Sequence, residues 1–167
     1  MAFLLDTNVL SELRKKRGNE PKVQGWLDSV DSEDLFTSVI VVGEIRRGIE
    51  KIRPTNPAFA SQLELWLRRL QLDYQDRILS ITKEIAEFGG TICPNDPLPE
   101  PDGLIAATAL HHGMTLVTRN IQHVQRSGVR LLSMGQFLRD FARSSSCRRL
   151  AASAKPKNDF RCAASIR

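Results

Sequence analysis

The chain has 167 residues, of which 41% are hydrophobic and 26% are charged, so its composition predicts a single globular domain with a real core. No apolar run reaches the roughly 20 residues of a membrane helix, and the run before Asp6 is too short for a signal peptide. We therefore expect a cytoplasmic protein with no membrane partner.

Charge and cysteine content exclude little else. Residues 139–167 hold eight Lys or Arg and two Asp, so the net charge of +5 leaves −1 for residues 1–138. Basicity therefore does not by itself predict that the body of the chain binds nucleic acid. The cysteines, Cys93, Cys147 and Cys162, have no CxxC spacing, which indicates free thiols rather than disulfides or a zinc site.

The N-terminal segment predicts a strand, a polar turn and a helix. Residues 3–5 are apolar and end at Asp6, while residues 9–13 carry apolar side chains at helical spacing. A turn at residues 18–21 and a second short helix over residues 23–30 are predicted next.

The following segment predicts a strand and two long helices. Residues 35–37 are the strand, and Ser38 is the predicted N-cap of a helix that runs to about Ile52, before a proline. A second helix begins after the cap Asn56, with proline in its first position. These two helices are predicted to form an αα-hairpin.

Three more strands are predicted, at residues 78–81, 115–118 and 129–132. Between the first two of them, we expect a helix from Thr82 to about Phe88 and another that opens at Asp102. The four prolines within residues 94–101 predict a loop before the second helix.

The C-terminal part predicts one more helix and a tail. Apolar side chains at positions 134, 137, 138 and 141 have the spacing of an amphipathic helix. The rest is rich in Ser, Ala and Arg, and we expect it to be disordered. The predicted organisation is one domain over residues 1–142 and a basic tail over residues 143–167.

Strands alternate with helices, which predicts an α/β fold with a central, mostly parallel sheet and helices on both faces. In such a sheet, ligands bind beyond the carboxyl ends of the strands. Asp6 and Asn120 each follow a strand and should lie along this edge, and Asp102 joins them only if its loop brings it there. Glu44 lies beside the inward-facing stripe of its helix, where a carboxylate needs a partner or a metal.

These four residues together predict an all-oxygen site. Mg²⁺ and Mn²⁺ prefer oxygen ligands, and a divalent cation removes the repulsion between clustered carboxylates. Such an ion can activate water and neutralise charge during phosphodiester hydrolysis. The alternative for Asp6, Asp102 and Asn120 is helix capping, and the alternative for Glu44 is an exposed helix edge.

Four segments resemble the motifs of PIN-domain proteins, in the order and at the spacing of that family. They are residues 4–12 (LLDTNVLSE), 38–48 (SVIVVGEIRRG), 102–109 (DGLIAATA) and 116–120 (LVTRN). The resemblance covers about residues 2–133 and is closest to toxins of the VapC and FitB type.

This resemblance implies an α/β/α sandwich and an Mg²⁺- or Mn²⁺-dependent ribonuclease. The residues that it assigns to metal binding are Asp6, Glu44 and Asp102, with Asn120 as the fourth catalytic position. The residues that it assigns to orienting the carboxylates or water are Thr7, Asn8, Ser38 and Thr118.

The resemblance also implies partners. Bacterial proteins of this type are toxins that a cognate antitoxin holds inactive, and they commonly dimerise. The expected partners are therefore RNA, an antitoxin and a second copy of the chain. The helices at residues 39–52 and 56–73 would form the antitoxin groove.

Some features depart from the family's pattern. Asn120 stands where Asp is common, which leaves the occupancy of a second metal ion open. His123 stands where many relatives carry an acid, and we interpret it as a surface residue because the sequence fixes no partner for it. Arg119 either steers RNA phosphate or forms an ion pair with a site carboxylate. The tail is either solvated or in contact with RNA phosphates.

Other functions fit less well. A phosphatase of the Asp-x-Asp type needs a carboxylate at position 8, where the chain has Asn8. A dinucleotide-binding domain needs Gly-x-Gly-x-x-Gly after the first strand, where the chain reads DTNVLS. The remaining alternative is a binding module of the same fold that holds RNA or an antitoxin without turnover, and Asn120 keeps it open.

Overall fold

The computed structural model describes residues 1–14, 26 and 29–133. Its centre is a five-stranded sheet whose described pairings are all parallel. The strands are β1 (Phe3–Leu5), β2 (Leu35–Ser38), β3 (Ile78–Leu79), β4 (Thr115–Thr118) and β5 (Leu131–Ser133). Their order across the sheet is β3-β2-β1-β4-β5. The predicted α/β class with a parallel sheet is confirmed.

Helices connect these strands. They are α1 (Thr7–Leu13), α2 (Val39–Ile52), α3 (Pro57–Asp73), α4 (Lys83–Thr91), α5 (Glu100–His111) and α6 (Ile121–Val124). Short 3-10 turns precede β2 and β3 and follow α6. In the part of the chain that the structure describes, no helix combines the length and the apolar character needed to cross a bilayer.

The core lies around the two central strands. Leu4 and Leu5 of β1 and Leu116 and Val117 of β4 are fully buried. All four residues of β4 are buried, and because side chains alternate along a strand, both faces of the sheet are covered there. Each such apolar side chain contributes roughly 1.5–3 kcal/mol to folding, so the centre of the sheet is rigid.

The order of the strands creates a switch point between β1 and β4. From β1 the chain passes outward to β2 and β3, and it then returns to the other side of β1 for β4 and β5. Leu5 pairs with Val117, so the carboxyl ends of both strands lie side by side. In open α/β sheets this is the place where ligands bind.

The predicted pair of long helices is confirmed. Ile45 and Ile49 of α2 and Leu63 and Leu67 of α3 are buried, and the helices pack on each other. Glu64 of α3 forms salt bridges with α2 and its C-cap: its Oε1 lies 3.1 Å from Arg46 Nη1 and its Oε2 lies 3.2 Å from Arg53 Nη2. Because these groups are partly exposed, the pairs orient the two helices more than they stabilise them.

Residues 94–101 are predicted to be a loop, with Asp102 opening the next helix. This prediction is wrong for the last two residues of the loop. The helix α5 begins at Glu100, after Pro99, and Pro101 lies in its first turn. Proline is favoured there because the first amides of a helix need no partner within it. Asp102 is therefore the third residue of α5 and not its cap.

Helix α4 is longer than predicted, because it continues through Gly89 and Gly90 to Thr91. A Cβ atom on Gly89 would lie 3.4 Å from Leu104 Cδ2 and 3.5 Å from Ala107 Cβ of α5. A Cβ atom here would therefore make ordinary van der Waals contact with α5, and the packing of α4 on α5 offsets the low helix propensity of glycine.

Other predicted bounds shift by one or two residues, since β3 is shorter than residues 78–81 and β5 ends at Ser133. Of the predicted second helix the structure describes Trp26 and Ser29, which are helical, and Val30, which lies in a bend. Trp26 is buried. The predicted turn at 18–21, the helix at 134–141, the boundary at 142 and the tail lie outside the described residues.

Tyr74 provides a test of the core. Its hydroxyl is buried and has no hydrogen-bond partner among the described residues, and burial raises the pKa of this phenol to about 12. We expect Tyr74→Phe to raise the free energy of unfolding by about 1 kcal/mol, because an unpaired buried hydroxyl is costly. Urea denaturation measures the change.

The matched control is Thr37→Val, which also deletes a buried hydroxyl. Thr37 Oγ1 donates to the Leu5 carbonyl oxygen at 3.2 Å, so its loss should lower stability. A decrease for Tyr74→Phe equal to that of the control would contradict the assignment of an unpaired phenol.

Candidate active site

Asp6 lies at the carboxyl end of β1 and is the N-cap of α1. Its Oδ1 accepts a hydrogen bond from the Thr7 backbone amide at 2.6 Å. Its Oδ2 accepts from Asn8 Nδ2 and from Thr118 Oγ1, each at 2.6 Å. The strand passes directly into the helix, so the carboxylate is fixed by groups that the backbone itself places. Both readings of Asp6 from the sequence, cap and site residue, fit this arrangement.

Thr118 joins the ends of the two central strands. It is almost fully buried at the end of β4. Its Oγ1 donates to Asp6, and it accepts from Asn8 Nδ2 at 3.2 Å and from the Asn120 backbone amide at 3.0 Å. One hydroxyl therefore sets the position of Asp6 and the path of the chain after β4.

Asn8 completes this cluster and ties it to the next residue of the β4 end. While its Nδ2 donates to Asp6 and Thr118, its Oδ1 accepts from the Arg119 backbone amide at 3.0 Å. Both ends of the amide are used, which fixes its orientation. Thr118 and Asn8 thus hold the Asp6 carboxylate in place, which is the geometry that the orienting role expected for them would need.

Glu44 reaches the site from α2. Thr7 Oγ1 donates to Glu44 Oε2 at 2.5 Å. The flanking residues Val41 and Ile45 are buried, so Glu44 lies at the edge of the inward face, as its spacing predicts. The described hydrogen bond of Ser38 is a helix cap, in which its Oγ accepts from the Ile40 amide at 3.3 Å.

Asp102 lies beside His123 and Asn120. Asp102 Oδ2 is 3.1 Å from His123 Nδ1, and the same nitrogen is 2.7 Å from Asn120 Nδ2. His123 is at the surface, as predicted, and the structure shows the partners that the sequence did not fix. The available signal was its spacing, because a residue three positions after Asn120 lies on the same side of a helical turn.

The electrostatics of the site centre on Asp6. Burial raises the pKa of the Asp6 carboxyl, and the nearby charge of Asp102 raises it further, while hydrogen bonds from Thr118, Thr7 and Asn8 act in the opposite direction. In the described part of the chain, no Lys or Arg contacts Asp6, Glu44 or Asp102. Within the described residues, the negative charge of these three carboxylates is therefore not neutralised by a Lys or Arg side chain.

Arg119 is next to the site but pairs elsewhere. Its Nη1 lies 3.1 Å from Glu12 Oε2 on α1, and its side chain is 59% exposed. The ion pair that the sequence left open therefore involves Glu12 and not one of the predicted site carboxylates. Its exposure leaves the guanidinium accessible at the rim.

The donor set fits a divalent cation in charge and chemistry, because Asp6, Glu44 and Asp102 supply hard oxygen atoms. A cation would also offset the burial of Asp6 and its repulsion by Asp102, both of which raise the pKa of Asp6. Within the described residues, no three Asp, Glu, His or Cys side chains already stand close enough to hold a metal ion. The contacts are pairwise: Asp102 with His123, and Glu44 with the Thr7 hydroxyl. Binding an ion would require side-chain rotation toward Asp6.

Comparison with known proteins identifies the family. The PIN domain model matches residues 3–128. The chain belongs to the PIN-domain family. This agrees with the four motifs, which confirms the resemblance inferred from them.

Individual PIN-domain relatives match over most of their length. Toxin FitB of Neisseria gonorrhoeae (strain ATCC 700825 / FA 1090) is 35% identical over 125 residues, which are 71% of this chain and 87% of that protein. VapC ribonuclease Y4jK of Sinorhizobium fredii (strain NBRC 101917 / NGR234) is 30% identical over 140 residues, which are 78% and 96%. The crystal structure of FitAcB from Neisseria gonorrhoeae has a TM-score of 0.70 at 30% identity, covering 78% of this chain and 96% of that one.

The hydroxyl of Thr118 provides a test of the site's construction. Thr118→Val has nearly the same shape but leaves Asp6, Asn8 and the Asn120 amide without this partner. We expect the free energy of unfolding to fall by about 1–3 kcal/mol, because Thr118 is buried and the partly buried Asp6 and Asn8 lose their hydrogen bonds to it.

Urea denaturation measures this loss, and Thr118→Ser, which keeps the hydroxyl, should recover most of it. If Thr118→Val were as stable as the wild type while Thr118→Ser were not, the methyl group rather than the hydroxyl would matter.

Proposed function

We propose that this PIN-domain protein is an endoribonuclease that hydrolyses RNA phosphodiester bonds with Mg²⁺ or Mn²⁺. The observation that carries the proposal is the partly buried Asp6 carboxylate at the switch point of the sheet, with Glu44 and Asp102 around it and, among the described residues, no Lys or Arg in contact with any of the three. A cluster of this kind is costly unless a cation joins it.

In this proposal Asp6, Glu44 and Asp102 would hold the ion. A bound divalent ion supplies an activated water and neutralises charge on the phosphodiester. The protein's own residues do the positioning: Thr118 and Asn8 hold Asp6 at 2.6 Å each, and Thr7 holds Glu44 at 2.5 Å. Pre-oriented carboxylates lower the cost of assembling the site.

The relatives favour RNA as the substrate. Y4jK, which is 30% identical to this chain over most of both lengths, is named a VapC ribonuclease. Arg119 is 59% exposed beside Asn120, so its guanidinium could bind an RNA phosphate in exchange for Glu12. We therefore assign Arg119 to RNA binding and place the activity in the cytoplasm.

A toxin role with a protein partner extends the proposal. FitB, which is 35% identical to this chain, is named a toxin, and related chains occur in structures of FitAcB and of FitAB bound to a DNA fragment. Leu65 and Leu72 on α3 are 67% and 66% exposed and lie seven residues apart on one side of the helix. This apolar side of the α2–α3 pair is where we place a cognate antitoxin, and a second copy of the chain is the other expected partner.

The second candidate is a binding module without turnover. One observation favours it: in the described region no three ligand side chains are already gathered for a metal ion. Asn120, which cannot supply charge in the fourth position, points the same way. In that case the fold would hold RNA or an antitoxin without cutting.

An RNA cleavage assay tests the proposal. Purified full-length protein, freed of any partner, is incubated with total cellular RNA and with Mg²⁺, Mn²⁺ or EDTA. We expect discrete fragments that require the metal, and Asp6→Ala and Asp102→Ala should each reduce cleavage by about 100-fold or more, because each removes a carboxylate ligand.

Glu100→Ala is the matched control. Glu100 lies in the same first turn of α5 as Asp102 but is exposed, so its removal should leave cleavage unchanged. Full activity of folded Asp6→Ala would contradict the site. Binding of RNA by folded wild-type protein without any metal-dependent product would favour the binding module.

A further inference from the structure

The sequence predicts only that His123 is a surface residue. In the structure it lies next to Asp102, where a ligand of the proposed ion would lie. It belongs to α6, which follows β4 at the switch point. Its Nδ1 is 3.1 Å from Asp102 Oδ2 and 2.7 Å from Asn120 Nδ2. The imidazole is therefore held between a site carboxylate and the amide that occupies the fourth catalytic position.

The nitrogen cannot satisfy both neighbours as they stand. A carboxylate oxygen only accepts, so Nδ1 must carry a hydrogen to bond Asp102, and it must lack one to accept from the Asn120 amide. Two arrangements resolve this conflict. If the Asn120 amide is turned so that its oxygen faces the ring, an Nδ1–H can donate to both Asp102 and Asn120. If the hydrogen is on Nε2 instead, the lone pair of Nδ1 faces the lone pairs of the Asp102 carboxylate. A cation between these two atoms would bind both.

The spacing also suits a shared cation. Two neighbouring ligand atoms, each at roughly 2.1 Å from an octahedral ion, lie about 3.0 Å apart. The distance of 3.1 Å between Asp102 Oδ2 and His123 Nδ1 is close to that value. His123 has 52% of its side chain exposed and Asp102 has 25%, so both can turn toward an ion without disturbing the core.

We propose that His123 Nδ1 is a ligand of the divalent ion together with Asp102, and that it makes the site select Mn²⁺ over Mg²⁺. This rests on the proposed function. Imidazole suits transition-metal ions, whereas Mg²⁺ binds almost only oxygen.

Metal binding without RNA is the direct test, with His123→Ala, His123→Asp and the wild type compared by titration calorimetry. We expect His123→Ala to weaken Mn²⁺ binding by about 10-fold or more and to change Mg²⁺ binding by less than about 3-fold. His123→Asp restores an all-oxygen set, so it should reduce the preference for Mn²⁺ by about 10-fold.

Pulsed EPR of bound Mn²⁺ identifies the ligand itself. The ¹⁴N coupling of a coordinated imidazole should be present in the wild type and absent in His123→Ala. The chain has only two other histidines, His111 and His112, at the far end of α5. Nine residues of helix place His111 about 13 Å from Asp102, so the double variant of these two should retain the coupling.

The outcomes separate this inference from the proposed function. Mn²⁺ bound without ¹⁴N coupling, with equal affinity in His123→Ala, would overturn the role of His123 while metal-dependent RNA cleavage still stood. Failure of the folded wild type to bind either ion would overturn both.

Discussion

The hydrogen bond from Thr118 to Asp6 is the interaction on which the rest of the site depends. It crosses the switch point of a parallel sheet and joins the carboxyl ends of its two central strands at 2.6 Å. A buried carboxylate is unfavourable, and three donors offset part of that cost. The buried apolar residues of β1 and β4 hold these donors in place, so core packing sets the geometry of the site.

The other acids approach this fixed point from separate elements. Glu44 comes from α2, where the Thr7 hydroxyl holds it, and Asp102 comes from the first turn of α5. Asp6 is thus held by three hydrogen bonds, while Asp102 and His123 have 25% and 52% of their side chains exposed and can adjust. A site with one fixed and several adjustable ligands explains why the described residues carry the charge for a cation without forming a ready-made cage.

Much of this could be predicted from the sequence, because it depends on local patterns. Alternating strands and helices gave the parallel sheet, and Asp6 directly after a strand placed it at the ligand edge. The spacing of the buried apolar residues of α2 predicted that Glu44 lies at the edge of the inward face of this helix. Contacts between distant segments were beyond reach: the start of α5 at Glu100 and the contact of His123 with Asp102 depend on how the proline-rich segment packs.

The central claim is that a divalent cation is held at the switch point between β1 and β4. Anomalous diffraction from a crystal of the full-length chain grown with Mn²⁺ tests this directly. We predict an anomalous peak at coordination distance from Asp6 and Asp102. If these side chains are well ordered in a crystal that contains Mn²⁺, the absence of a peak beside them, or peaks only at other places in the crystal, would contradict a cation at the switch point.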